Sequence, residues 1–196
     1  MESVATPYFT AEQYFQIDGM TDLPAEYYAG RIAYVGWATL AHSQINMNLV
    51  VIGHRALRDK RPCVFLGLRI RVEVSKRCYT YPDATIYVDK PCIVNVPEEA
   101  VSNPTVVFEV TSPLSENLDR TTKAELYRSM PSVREYVVVA HDRPYVEHYV
   151  RMDTNRWLLT ELRGLGQTLS LSSVECEIPF ADLYHDVEFD QFKSVG

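Results

Sequence analysis

Thr105-Val-Val-Phe-Glu-Val-Thr-Ser-Pro113 is a run of β-branched and aromatic residues interrupted by one carboxylate and closed by a proline. Such side chains suit a pleated, buried surface, so residues 105–110 read as a core strand. A glutamate inside that strand is costly to desolvate unless it is paired or coordinates a cation. Because side chains alternate across a strand, Glu109 and Thr111 share a face, while Val110 points away and leaves its carbonyl as an oxygen donor. Upstream, Pro82-Asp83 opens a second strand expected over 83–88. Two acids, Asp83 and Glu109, facing one cleft would make a site for a hard divalent cation. Taken alone, Asp83 also fits a turn.

Working outward, residues 117–130 are expected to form a helix closed by Pro131-Ser132, and 135–140 the next strand. Lys123 and Tyr127 fall one turn apart on that helix and can both face the sheet edge, bringing an ammonium within reach of a bound phosphate. A solvated lysine paired with a neighbour is the alternative for Lys123. Toward the N-terminus, Thr10-Ala-Glu-Gln13 has capping-box spacing for a short helix over 11–17, Leu23-Pro24 marks a turn, and 31–36 reads as a strand. Leu40, Ile45, Leu49, Ile52, Ala56 and Leu57 recur at helical steps, which predicts a long helix over 39–59. A strand over 64–74 follows, and Lys90 to Pro97 is expected as loop in which 93–96 could pair only at an edge. A hairpin over 145–151 and 156–162 and a short helix from Pro179 complete the pattern. The fold class is therefore α/β (α+β), with a core order α-β-β-β-α-β, a mixed central sheet and a C-terminal β-hairpin extension. We expect one domain over 1–196, divided into an N-terminal segment 1–37, a core 38–141 and a β extension 142–196.

Composition bounds the function. Neither an 18-residue apolar stretch nor a basic leader before an apolar segment occurs at Met1-Glu-Ser-Val-Ala-Thr6, so no membrane association and a cytoplasmic location are expected. Cys63, Cys78, Cys92 and Cys176 lack CxxC spacing and read as buried free thiols. A formal charge of −7 argues against coating nucleic acid by bulk electrostatics. The distribution is uneven, since residues 55–77 hold eight basic side chains (Arg55, Arg58, Lys60, Arg61, Arg69, Arg71, Lys76, Arg77) against Asp59 and Glu73. They form either a local basic surface or ordinary solvated faces. His54, His141, His148 and His185 form no i, i+4 ligand pair, Ser112 lacks a G-x-S-x-G elbow, and no phosphate-binding glycine loop occurs. These absences exclude a zinc hydrolase, a serine hydrolase and a nucleoside triphosphatase.

The ordered motifs Pro82-Asp83, Glu109-Val-Thr-Ser-Pro113, Lys123-Ala-Glu-Leu-Tyr127 and Val133-Arg-Glu-Tyr-Val-Val-Val139 resemble the Uma-two family of restriction-endonuclease-like proteins, within the PD-(D/E)XK nuclease superfamily. Glu26-Tyr-Tyr-Ala-Gly30 is similar to the family's E-x-x-x-G entry, and His42 to the histidine that opens its long helix. The resemblance runs from about Thr10 to Leu183 and implies a restriction-endonuclease-like fold. It also implies Asp83 and Glu109 as metal ligands, with Lys123 in place of the lysine usually found two residues after the acidic strand residue, where this chain has Thr111. Glu26 would act from outside the ligand set or stand as an exposed turn residue. His42 would contact metal or phosphate, or simply cap or pack its helix.

These readings lead to a metal-dependent endonuclease acting on nucleic acid, with DNA as the expected polymer. Asp83, Glu109 and the Val110 carbonyl would hold Mg²⁺, or Mn²⁺ as a substitute, and Lys123 would assist attack. Cleavage of both duplex strands points to a homodimer or other homo-oligomer. The alternative is an inactive nuclease-like scaffold that binds nucleic acid or protein, its C-terminal acids Glu175, Glu177, Asp182, Asp186, Glu188 and Asp190 facing a basic partner.

Overall fold

A computed structural model describes residues 8–36, 38–60, 64–67, 70–94 and 99–189. The anticipated core is present. Helix α2 (Leu40–Leu57), capped at Thr39 by the hydroxyl that accepts the His42 amide, precedes β3 (Val64–Gly67), β6 (Ala84–Tyr87) and β9 (Val106–Val110). A helical segment made of α3 (Glu116–Leu118), a π-turn (Asp119–Lys123) and α4 (Ala124–Ser129) then crosses over to β10 (Glu135–Val139). Strand β9 pairs parallel with β10 and antiparallel with β6, so the sheet is mixed. The hairpin β11 (Tyr145–Arg151) and β12 (Trp157–Arg163) extends it to the order β12-β11-β10-β9-β6-β3.

Strand alternation decides which residues each face buries. Val106, Phe108 and Val110 pack with Ile45 and Leu49 of α2 in one core cluster, while Val107 packs with Ala124 and Tyr127 in another. Glu109 lies on the Val107 face, so it is carried toward the crossover helix. The α2 side is completed by the two-stranded β13 (Thr168–Leu171) and β14 (Cys176–Pro179) and by α5 (Phe180–Leu183). Gly53 allows α2 to approach β3, since a Cβ there would meet the Phe65 ring at 2.4 Å.

The larger departure from expectation is a second six-stranded sheet, order β2-β1-β5-β4-β8-β7. It contains β1 (Ala25–Tyr28), β2 (Arg31–Tyr34), β4 (Val72–Ser75), β5 (Cys78–Thr80), β7 (Ile93–Val94) and β8 (Ala100–Val101). The strand expected over 64–74 is therefore two strands in different sheets, because β3 pairs with β6 and β4 with β5. Glu26 does not stand in a turn before a strand; it is paired within β1. Helix α1 (Ala11–Asp18) packs Tyr14 and Phe15 on Tyr27 and Tyr79 of this sheet.

Two surface expectations also change. Arg71 is 2% exposed, ion-paired with Asp18 and set over the rings of Tyr14, Phe15 and Tyr81, so it contributes nothing to a basic surface. Cys78 and Cys176 are buried free thiols, but Cys92 is exposed. Met1 to Thr6, Arg61, Cys63, Arg69, Pro97 and Asp190 lie outside the described residues.

Candidate active site

At the C-terminal end of β9, a cavity of about 400 Å³ is lined by Glu26, His42, Asn46, Asp83, Glu109, Val110 and Lys123, among others. All five side chains singled out in the sequence thus border one space, although they come from two sheets and two helical segments. Proximity follows from the chain path: Asp83 immediately precedes β6, Glu109 ends β9 beside it, and α2 covers the same strand end.

Asp83 is held by several donors. Its Oδ2 accepts the Val110 amide at 2.7 Å, its Oδ1 accepts Asn46 Nδ2 at 2.7 Å, and His42 Nε2 lies 3.4 Å from Oδ1. Burial acts to raise this carboxyl, but the bonds and charge of His42, with the Val110 amide and Asn46, outweigh it and hold Asp83 below the usual aspartate range. His42 responds in the opposite sense. Burial lowers it, yet Asp83, Asp119 and the Val110 backbone leave it raised above the ordinary imidazole value.

Across the cavity stands a buried cluster around Lys123. Its Nζ lies 3.1 Å from Glu109 Oε1 and 3.1 Å from Glu26 Oε1, with Asp119 Oδ1 at 3.5 Å. Glu109 Oε1 also accepts the Tyr127 hydroxyl at 2.9 Å, and Glu26 accepts the Tyr28 hydroxyl at 2.6 Å and the Tyr81 amide at 2.9 Å. Burial works against the ammonium, but the Glu109 and Glu26 charges more than compensate and push Lys123 well above the usual lysine range. Glu109 is pushed well above the usual carboxylate range by burial, opposed by Lys123 and reinforced by Asp119, Asp83 and Glu26.

The free acceptors at this site are all hard oxygens. No hydrogen bond among the described residues falls on Glu109 Oε2, and the Val110 amide takes one lone pair of Asp83 Oδ2. Phe108 receives the Asp83 amide on the β6 side, so Val110, two residues on, turns its amide and carbonyl to the same side. On that side the Val110 backbone also hydrogen-bonds His42. Among the described residues no group of three or more His, Cys, Asp or Glu side chains is placed to hold a metal ion. Two carboxylates bordering one cavity, Asp83 and Glu109, nevertheless suit the oxygen preference of Mg²⁺.

Two participants escaped the sequence reading. Asn46 follows His42 by one helical turn and so shares its face, a spacing that could have revealed it. Asp119 precedes Lys123 by four residues and is fully buried, its oxygens near Ser115 and Lys123 without a hydrogen bond of ordinary geometry from either. Thr111, which occupies the usual lysine position, is engaged instead by His141 at 3.1 Å.

The comparisons agree with this architecture. A crystal structure described as "a putative nuclease belonging to DUF820", from Anabaena variabilis ATCC 29413, superposes with a TM-score of 0.72 over 90% of this chain and 97% of its own, at 17% identity. Two proteins of Synechocystis sp. (strain ATCC 27184 / PCC 6803 / Kazusa), "Uncharacterized protein sll1609" and "Uncharacterized protein slr1290", are 28% and 25% identical. Those alignments cover 88% and 95% of this chain and 97% of each relative. The Uma2 family model, described as "Putative restriction endonuclease", matches residues 11–181, and the chain belongs to the Uma2 family.

Proposed function

We propose that this protein is a metal-dependent endonuclease that hydrolyses phosphodiester bonds of DNA in the cytoplasm. The observation that carries the reading is a buried ammonium, Lys123, 3.1 Å from Glu109 at the edge of a cavity that also holds Asp83 and Val110. Asp83, Glu109 and the Val110 carbonyl would hold Mg²⁺, with Mn²⁺ as a substitute. When bound, the ion supplies a Lewis acid for the scissile phosphate and acidifies a water.

The chain's own residues supply the rest. Asn46, His42 and the Val110 amide fix the rotamer of Asp83, so its free lone pair has a set direction. Lys123, kept charged by Glu26 and Glu109, acts as an electrostatic donor to the phosphate and not as a proton acceptor. Glu26 and Tyr127 position Lys123 and Glu109 respectively. His42, at the cavity wall with Nε2 3.4 Å from Asp83 Oδ1, helps to orient that carboxylate. Two such chains related by a two-fold axis would cut both strands of a duplex, which sedimentation of the purified protein tests.

The direct test is incubation of the purified chain with DNA and with RNA in Mg²⁺ or Mn²⁺. We expect DNA cleavage that Asp83→Ala abolishes. No cleavage of either polymer, or equal cleavage by Asp83→Ala, would sink the proposal.

A further inference from the structure

At the opposite end of the central sheet from Glu109 lies a separate cavity of about 500 Å³. Its walls come from the start of β9 and β10, the end of β11, and the β13–β14 turn, and they include Ser132, Arg134, Arg151 and Ser173. Four features of these side chains belong together.

First, the Arg151 guanidinium lies over the Trp157 ring, 4.3 Å from its centroid, and uses only some of its N–H groups for structure. Its Nε donates to the Val133 carbonyl at 2.7 Å, and its Nη2 donates to the carbonyls of Arg128 at 2.7 Å and Met130 at 2.8 Å. No acceptor among the described residues takes the two N–H groups of Nη1. Second, Arg134, exposed at the mouth, has no ion pair or hydrogen bond among the described residues through its guanidinium. Its charge acts on Arg151, and together with burial it lowers the Arg151 pKa. Two guanidiniums that repel each other across a cavity lack the counter-charge such a pair calls for. Third, the hydroxyls of Ser132 and Ser173 are buried without a hydrogen-bond partner. Fourth, Ser173 is held in place, because its amide donates to Glu135 Oε1 at 2.7 Å.

The cavity's acids do not supply the missing charge. Glu135 is fully buried and occupied by His148 Nε2 at 2.5 Å and by the Ser173 amide. Asp89 stands exposed at the rim. What remains is a fork of planar cations with two hydroxyl donors, a combination matched by the tetrahedral oxygens of phosphate.

We propose that this cavity binds a terminal phosphate group, as inorganic phosphate or as a phosphomonoester, through Arg134, Arg151 Nη1, Ser132 and Ser173. A phosphomonoester presents three peripheral oxygens to these donors, against two non-bridging oxygens on an internal phosphodiester. The site is independent of the metal chemistry at the other end of the sheet. Its ligand is either free phosphate or the phosphorylated end of a nucleic-acid strand.

Titration calorimetry of the full chain with inorganic phosphate, in chelator and without divalent metal, tests the proposal. Phosphate should bind the wild type, bind Asp83→Asn equally well, and bind Arg134→Gln about tenfold more weakly. Ser173→Ala, which keeps the amide bond to Glu135, should weaken it several-fold. A 5′-phosphorylated oligonucleotide that binds more tightly than its 5′-hydroxyl twin, with the difference lost in Arg134→Gln, assigns the site to strand ends. Equal binding of the twins, with inorganic phosphate still lost in Arg134→Gln, assigns it to free phosphate. Absence of phosphate binding at millimolar concentration, or undiminished binding in Arg134→Gln, would overturn the site while leaving the nuclease reading untouched.

Discussion

The Lys123 ammonium lies 3.1 Å from Glu26 Oε1, and this contact joins two sheets, because Glu26 belongs to β1 of one and the partner Glu109 of the same ammonium belongs to β9 of the other. Tyr127 repeats the bridge one turn later, with its hydroxyl 3.0 Å from Thr80 Oγ1 on β5 and 2.9 Å from Glu109 Oε1. The lysine of the candidate site is therefore also a structural staple. Any loss of cleavage on its removal would have two causes that must be separated.

Removing Lys123 leaves Glu26, Glu109 and Asp119 buried around a lost cation. Breaking a buried ion pair from one side costs about 3–5 kcal/mol, so Lys123→Met should lower unfolding stability by an amount in that range. The double variant Lys123→Met, Glu26→Gln should recover part of the stability and none of the cleavage. Urea denaturation and a DNA cleavage assay, run in parallel, separate the two roles. Recovery of both together would make Lys123 purely structural.

Divalent metal should depend on the two acids unequally shielded from the cavity. Calorimetry with Mg²⁺ should show binding to the wild type that is lost in both Asp83→Asn and Glu109→Gln. Asn46→Ala should weaken it about tenfold, because Asp83 loses the donor that fixes its orientation, as for other partners of ligating side chains. Binding unchanged in all three variants would place any ion elsewhere.

The central sheet was legible because its strands are long or uninterrupted in pattern and because Glu109 inside an apolar run admits few explanations. The second sheet was legible only in the strand expected over 31–36, found as β2, and in the edge pairing allowed within 93–96, found as β7; β8 has two residues and β5 three, too few for a period to emerge. Glu26 suffered from the same brevity. In Ala25-Glu-Tyr-Tyr28 the burial of three consecutive residues hides the alternation that marks a half-exposed strand. Arg71 looked like surface charge because nothing local announces Asp18, its distant partner. Asp119 and Asn46 were readable in principle, each four residues from a recognised site residue. Propensity and apolar pattern, which decided the helices, carry no information about buried carboxylates.

The His42–Asp83 pair sets a window in pH. Asp83 is lowered from its usual 3.8, so its contribution is present above that value and is lost as pH falls through the folded pKa. His42 is raised from its usual 6.5, so its contribution is full below that value and is lost as pH rises through the folded pKa. His42→Gln should therefore cost about 1 kcal/mol near pH 6 and much less in alkaline solution. Urea midpoints of the two proteins at several pH values give the difference directly; a gap that widens with alkalinity would contradict the charged pair.

Acid stability should be governed by a different pair. Glu135 is fully buried on β10, with His148 of β11 2.5 Å away and the Ser173 amide at 2.7 Å. Burial acts to raise this carboxyl, but the bonds from His148 and Ser173 outweigh it and leave it below its usual 4.5. A depressed carboxylate stabilises the fold above its unfolded pKa and loses that contribution as pH falls through the folded one. Glu135→Gln should thus cost about 3–5 kcal/mol at neutral pH, since it strips the His148 contact of its charge and loosens the β13–β14 turn. The deficit should shrink progressively as the pH falls below the unfolded value of 4.5 and through the lower folded pKa, where the folded wild-type side chain itself takes up a proton. A deficit that stays constant from neutral to acid pH would mean that shape, and not charge, is what Glu135 contributes.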